Sequence, residues 1–92
     1  MIKKELKYVE DFHNAFGLSV AKKATTDLSD ETIKLRFNLM KEENEEYYEA
    51  AKNNDIIEVA DALGDMLYIL CGTILSHGMQ DKINEVFEEI QR

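Results

Sequence analysis

The chain has 92 residues, a net charge of −8, no proline, four glycines and a single cysteine, Cys71. This length allows one domain, residues 1–92, with a limited core, and 45% hydrophobic with 33% charged residues excludes a disordered chain. The acidic balance excludes binding to nucleic acid or another polyanion by bulk electrostatics, and a lone cysteine excludes an internal disulfide.

The scarcity of turn-forming residues points to an all-α fold, and four helices follow in chain order. The first covers residues 2–16, with Ile2, Leu6, Val9, His13 and Phe16 on one face and Gly17 as its stop. The N-terminal MIKKELKYVEDF has charges throughout, so no secretory leader is expected. Residues 18–29 read as a polar connection, with Lys22 and Lys23 as solvated side chains. Ser29 or Asp30 caps a second helix over residues 30–53. Asn53-Asn54-Asp55 breaks it, and Asp55 with Glu58 has the spacing of a capping box. The third helix runs from Ile56 to about His77, where Gly78 ends it. Asp81 is placed to cap a fourth, over residues 82–91.

The third helix raises the functional question. From Ile56 to Leu75 its only charges are Glu58, Asp61 and Asp65, with no Lys, Arg or His among them. The run is long enough to span a membrane, but three acids near its middle are costly in lipid, so a cytoplasmic soluble protein with no membrane partner is expected. At ~100° per residue these acids share an arc of roughly 60°, continued by Gly72 and Ser76. Every other direction is apolar. That is too much apolar surface for one chain of this size to cover, and a homodimer or dimer of dimers is expected. Helices two and three of each chain would then form a four-helix-bundle core.

The acids of KEENEEYYEA on the second helix are not equivalent. Glu43 and Glu46 fall among Leu39, Met40, Tyr47 and Ala50, and Glu42 lies at the edge of that face. Glu45 and Glu49 project to the opposite side with Lys41. Antiparallel packing of helices two and three brings the two inward acidic stripes together, with Arg36 as the nearby cation. Carboxylates so close cannot all ionise unaided. A hard divalent cation resolves the conflict: Mg²⁺, with Mn²⁺ as the alternative. No Cys/His cluster favours zinc.

The pair E-E-x-x-E (Glu42 to Glu46) and E-x-x-D (Glu58 to Asp61) resembles the all-α nucleoside triphosphate pyrophosphohydrolases. That superfamily includes MazG, the dimeric dUTPases and phosphoribosyl-ATP pyrophosphohydrolase. The extended EVADALGDMLY, the lead-in Arg36-Phe37-Asn38-Leu39 and the phrase FHNAFG at Phe12–Gly17 are similar to its MazG-like and phosphoribosyl-ATP-pyrophosphohydrolase-like branch. The resemblance implies Mg²⁺-dependent cleavage of a nucleotide to a monophosphate and pyrophosphate, with clearance of non-standard nucleotides as one role. It implies a metal site of Glu42, Glu43, Glu46, Glu58 and Asp61, with Glu42 preferred for activating the attacking water. Members of that branch often continue into a tail with an Asn and a Lys near Ser residues. This sequence ends at Arg92 before any such tail, so those substrate-gripping residues are either absent or part of a longer chain.

Around the site, Arg36 either reaches a phosphate or bridges to a nearby Glu. Asp65 touches metal, substrate or only a neighbouring helix, and Tyr68 leans on a nucleobase or fills the core. His13 reads as a packed core histidine, His77 as a complement to the helix dipole, and Tyr47 and Tyr48 as packing residues. Two other functions compete: phosphoribosyl-ATP pyrophosphohydrolase of histidine synthesis, and a non-catalytic acidic helical dimer holding a basic partner.

Overall fold

A computed structural model describes residues 1–92 as four helices without strands: α1 (Lys3–Phe16), α2 (Asp30–Lys52), α3 (Ile56–Ser76) and α4 (Ile83–Gln91). The helices end where local chemistry dictates. Ser29 caps α2, its Oγ accepting the Thr32 amide at 3.1 Å, and Gly17 closes α1 in the left-handed conformation. The contacts fall into two compact units, residues 29–70 and residues 1–28 with 71–92, and α3 runs through both.

In the unit of residues 1–28 and 71–92, Leu6 and Val9 of α1 pack with Cys71, Ile74 and Leu75 of α3, joined by Ile2, Val20, Met79 and Ile83. His13 is buried as expected, and its Nδ1 lies 3.0 Å from the Ser19 carbonyl oxygen. Phe16 departs from expectation. It is exposed and stacks on Phe12 with ring centroids 4.5 Å apart, because the core stripe ends at His13.

The segment between α1 and α2 is tied down more than its polar composition suggested. Its backbone is stitched to the end of α3 by Ala21 N–H to Leu75 O and Thr25 N–H to His77 O, at 3.0 and 2.9 Å. Side chains reinforce the seam. Ser19 and the fully buried Ser76 share a 2.8 Å hydroxyl bond, Gln80 Nε2 donates to Ala21 O, and His77 Nδ1 reaches Thr25 O at 2.9 Å. The role of His77 is thus to anchor this segment. Asp81 does not cap α4: Lys82 holds the cap position and no side chain makes a capping bond.

Gly78 is the tightest point of the seam. Its φ is +66°, and a Cβ there would stand 2.1 Å from the Lys23 carbonyl oxygen. Gly78→Ala is therefore expected to cost about 2–5 kcal/mol, the left-handed strain adding to an overpacked backbone contact. Gly17 has a similar φ but open space around it, so Gly17→Ala should cost only about 1 kcal/mol. Melting curves of the two variants compare the costs directly, and equal losses would mean that the Lys23 contact is unimportant.

The unit of residues 29–70 is a helical hairpin of α2 and the first part of α3. Its only buried residues are Arg36, Ala50 and Ala62. Asp55 caps α3, its Oδ1 accepting the Glu58 amide at 3.1 Å, while its own N–H goes to Ala50 O at 3.0 Å. The reciprocal half of a capping box is thus filled by a backbone carbonyl, and the Glu58 carboxylate remains available to the site.

Candidate metal and phosphate site

The site is built on the hairpin. Glu43 lies seven residues from both Arg36 and Ala50, so the three share the inward face of α2. One turn on, Glu46 follows, and Asp65 comes from α3. Single carboxylate oxygens of Glu43, Glu46 and Asp65 all lie within 4.8 Å of one another.

Glu43 is the strained member. Its Oε2 is shielded from solvent and accepts no hydrogen bond. Its pKa is pushed up to about 7, first by burial, then by a hydrogen bond shared with Glu46, then by the charges of Glu46, Asp65 and Glu42. Protonating Glu43 therefore relieves the repulsion among the three carboxylates. The same donor set, all oxygen and all anionic, suits a hard divalent cation that would replace that proton.

Beside the triad, α2 and α3 enclose an acidic groove of about 410 Å³, lined by Glu42, Glu46, Glu58 and Asp61 with the buried Ala50 and Ala62. The carboxylates read from the sequence thus separate into two sets that share Glu46. Glu43 and Glu46 join Asp65, while Glu42, Glu46, Glu58 and Asp61 face the groove. Asp65, read from sequence as touching metal, substrate or only a neighbouring helix, stands in the tight triad; its i+4 spacing from Asp61 is the signal that put both on one stripe.

Glu45 and Glu49 depart from the reading of them as residues of the opposite side. Both line the groove, although they remain exposed and lie 3.9 Å from Lys41 and 3.7 Å from Lys52 respectively. The reason is helical phase. Residues seven apart drift only ~20° on an α-helix, so a groove that Glu42 lines continues to Glu49. Arg36, by contrast, is buried at 7% exposure, with its pKa lowered by that burial, and does not line the groove. Tyr68 is exposed and also stands outside the groove lining.

On another flank, α2 and α3 leave an apolar groove of about 650 Å³ lined by Phe37, Met40, Met66, Leu67 and Leu70, with Lys41 and Asn44. The hairpin therefore has an anionic side and an oily side.

Comparison with known proteins fits this geometry. The family model of phosphoribosyl-ATP pyrophosphohydrolase matches residues 9–92. The chain belongs to this family. Phosphoribosyl-ATP pyrophosphohydrolases fall within the MazG-like nucleotide pyrophosphohydrolase superfamily, and the matched span contains Asp65 with the E-E-x-x-E and E-x-x-D segments, which together supply the triad and line the groove. The chain is also 37% identical to an uncharacterised protein of Acanthamoeba polyphaga mimivirus over 67 residues, 70% of this chain and 27% of that protein. It therefore spans about a quarter of the length of that relative.

Proposed function

We propose that this family member is a Mg²⁺-dependent nucleotide pyrophosphohydrolase that cleaves a nucleoside triphosphate or related nucleotide to a monophosphate and pyrophosphate. The observation that carries the reading is the triad of Glu43, Glu46 and Asp65, with an oxygen that has no donor, opening beside a groove of further carboxylates. A groove this acidic repels a polyphosphate unless cations lie between them. Mg²⁺ or Mn²⁺ supplies that charge and polarises the phosphoryl group under attack. Glu43, Glu46 and Asp65 would hold the cation, with Glu58 and Asp61 ligating from the groove side. Glu42, at the groove edge, would orient the attacking water and take its proton. Buried Arg36 supports the hairpin from within.

The reading extends to a soluble cytoplasmic enzyme that clears non-standard nucleotides. Although α3 has the length and apolarity of a membrane span, Asp61 in its first half lines the groove. The family's own namesake reaction on phosphoribosyl-ATP is the second reading, favoured by the family match. A panel of nucleotides incubated with Mg²⁺, read by pyrophosphate release, decides between them. Cleavage of phosphoribosyl-ATP above all others selects the second reading, and no release from any nucleotide with either cation removes both.

The enzyme is further proposed to work as a homodimer through α2 and α3. Ile56, Ile57, Phe37, Leu63, Leu67 and Leu70 are all exposed on a hairpin with three buried residues, too small a core to stand alone. A second copy laid against this oily surface completes a four-helix bundle. Light scattering at low micromolar concentration should give at least the mass of two chains; a folded monomer there would contradict the shared core.

A further inference from the structure

The turn that joins α2 to α3 is closed from both sides through one residue. Asn54 takes the left-handed conformation, with φ +57°. Two amides reach back into the last turn of α2: Asn54 N–H to Ala51 O at 3.1 Å and Asp55 N–H to Ala50 O at 3.0 Å. This is the Schellman pattern that ends a helix. Asp55, its last member, also begins the next helix. Its Oδ1 accepts the Glu58 amide at 3.1 Å, and its carbonyl oxygen accepts the Val59 amide at 2.9 Å.

This double role decides what Glu58 can do. Glu58 is the third residue of α3, the position whose side chain, in a complete capping box, folds back onto the N–H of the cap residue. Here that N–H is already held by Ala50 O. The Glu58 carboxylate instead lines the groove with Asp61, three residues further on the same face, and with Glu42 and Glu46 of α2. Packing within the chain does not hold the first turn of α3, because Ile56 and Ile57 are each 76% exposed. The polar contacts of Asp55 hold it. Asp55 also lines the groove, but its Oδ1 is engaged by the Glu58 amide.

We propose that Asp55 is a positioning residue for the cation site: it fixes the first turn of α3 so that Glu58 reaches the cation, and does not itself touch the cation. This rests on the reading of the groove as a cation site. A frayed first turn lets the Glu58 carboxylate swing into solvent, and groups that orient a ligand are commonly worth about 10- to 100-fold in metal affinity. Glu46 on α2 and Asp65, about three turns along α3, lie beyond such fraying. The loss is therefore confined to the share that Glu58 contributes.

Calorimetric titration with Mg²⁺, with melting curves alongside, tests this on the whole chain. Asp55→Ala should weaken Mg²⁺ affinity about tenfold or more. Asp55→Asn, which keeps a capping oxygen without the charge, should keep the affinity of the parent. Ser29→Ala is the matched control: Ser29 caps α2 through a bond of the same 3.1 Å length and stands outside the groove lining. Both alanine variants should melt about 4–8 °C lower without metal, but only Asp55→Ala should lose affinity. Asp55→Ala combined with Glu58→Gln should bind Mg²⁺ as Glu58→Gln alone does, because Asp55 acts through Glu58. Equal losses in Asp55→Asn and Asp55→Ala would make Asp55 a ligand and overturn the proposal. Unchanged affinity in Asp55→Ala, an equal loss in Ser29→Ala, or additive losses in the double variant overturn it as well. A parent chain that binds neither Mg²⁺ nor Mn²⁺ gives a different result from all of these, removing the cation reading and the proposal together.

Discussion

Glu46→Gln is expected to lower pyrophosphate release about 100-fold or more, while its neighbour Glu45→Gln leaves release near normal. The two residues are adjacent and chemically identical, so the difference isolates position. Glu46 belongs both to the triad with Glu43 and Asp65 and to the groove, and losing its charge weakens any cation held there. Glu45 lies only along the groove, exposed and 3.9 Å from Lys41, a surface pair worth little. The apo fold should tell the same story in reverse. Glu46→Gln removes a charge that repels Glu43 and should leave the metal-free protein as stable or more so. Glu45→Gln should change stability by no more than about 0.5 kcal/mol. Asp65→Asn should resemble Glu46→Gln, abolishing the rise in melting temperature produced by Mg²⁺, whereas Glu49→Gln should preserve that rise. Equal damage from Glu45→Gln and Glu46→Gln would move the cation out of the triad and into the outer groove.

The sequence made the helices legible because each boundary has a local cause. Ser29, Asp55, Gly17 and Gly78 act through caps and left-handed turns that depend on a few neighbouring residues. The one terminus read wrongly, Asp81, belongs to a short helix whose start follows a turn at Met79, where the Lys82 and Ile83 amides share one carbonyl. The tethering of residues 18–28 was not legible at all. Ser19, Ala21 and Thr25 pair with residues more than fifty positions away, and no local pattern encodes such partners. The site lay between these cases. Helical phase alone assembled Glu43, Glu46, Asp61 and Asp65 on facing stripes. Phase also says that Glu42 and Glu49 point nearly the same way, so the groove could have been followed one turn further from sequence. Which carboxylates approach within 4.8 Å depends instead on the register of α2 against α3, a tertiary quantity that no single-helix pattern encodes.

Glu43 turns that register into a measurable pH dependence. Its folded pKa is about 7, against 4.5 ordinarily, so between those values the folded apo protein holds a proton that the unfolded chain has released. Stability rises with pH only where the unfolded state binds more protons; here the folded state does. The stabilisation is therefore complete below about pH 4.5 and is lost as pH rises through about 7. Metal-free protein should melt at progressively lower temperature from pH 5 to pH 8. The quantity that isolates Glu43 is the difference between the parent and Glu43→Gln, in which the missing carboxylate should flatten the curve. A cation requires the ionised form, so Mg²⁺ affinity should move the opposite way, rising with pH through about 7. At pH 8 saturating Mg²⁺ should raise the melting temperature of the parent protein and leave Glu43→Gln nearly unmoved. If parent and Glu43→Gln show the same apo slope, Glu43 titrates as an ordinary surface acid and the triad is not the charged centre proposed. If the slopes differ but Mg²⁺ stabilises both proteins equally, the cation sits elsewhere in the groove, on Glu42, Glu58 and Asp61.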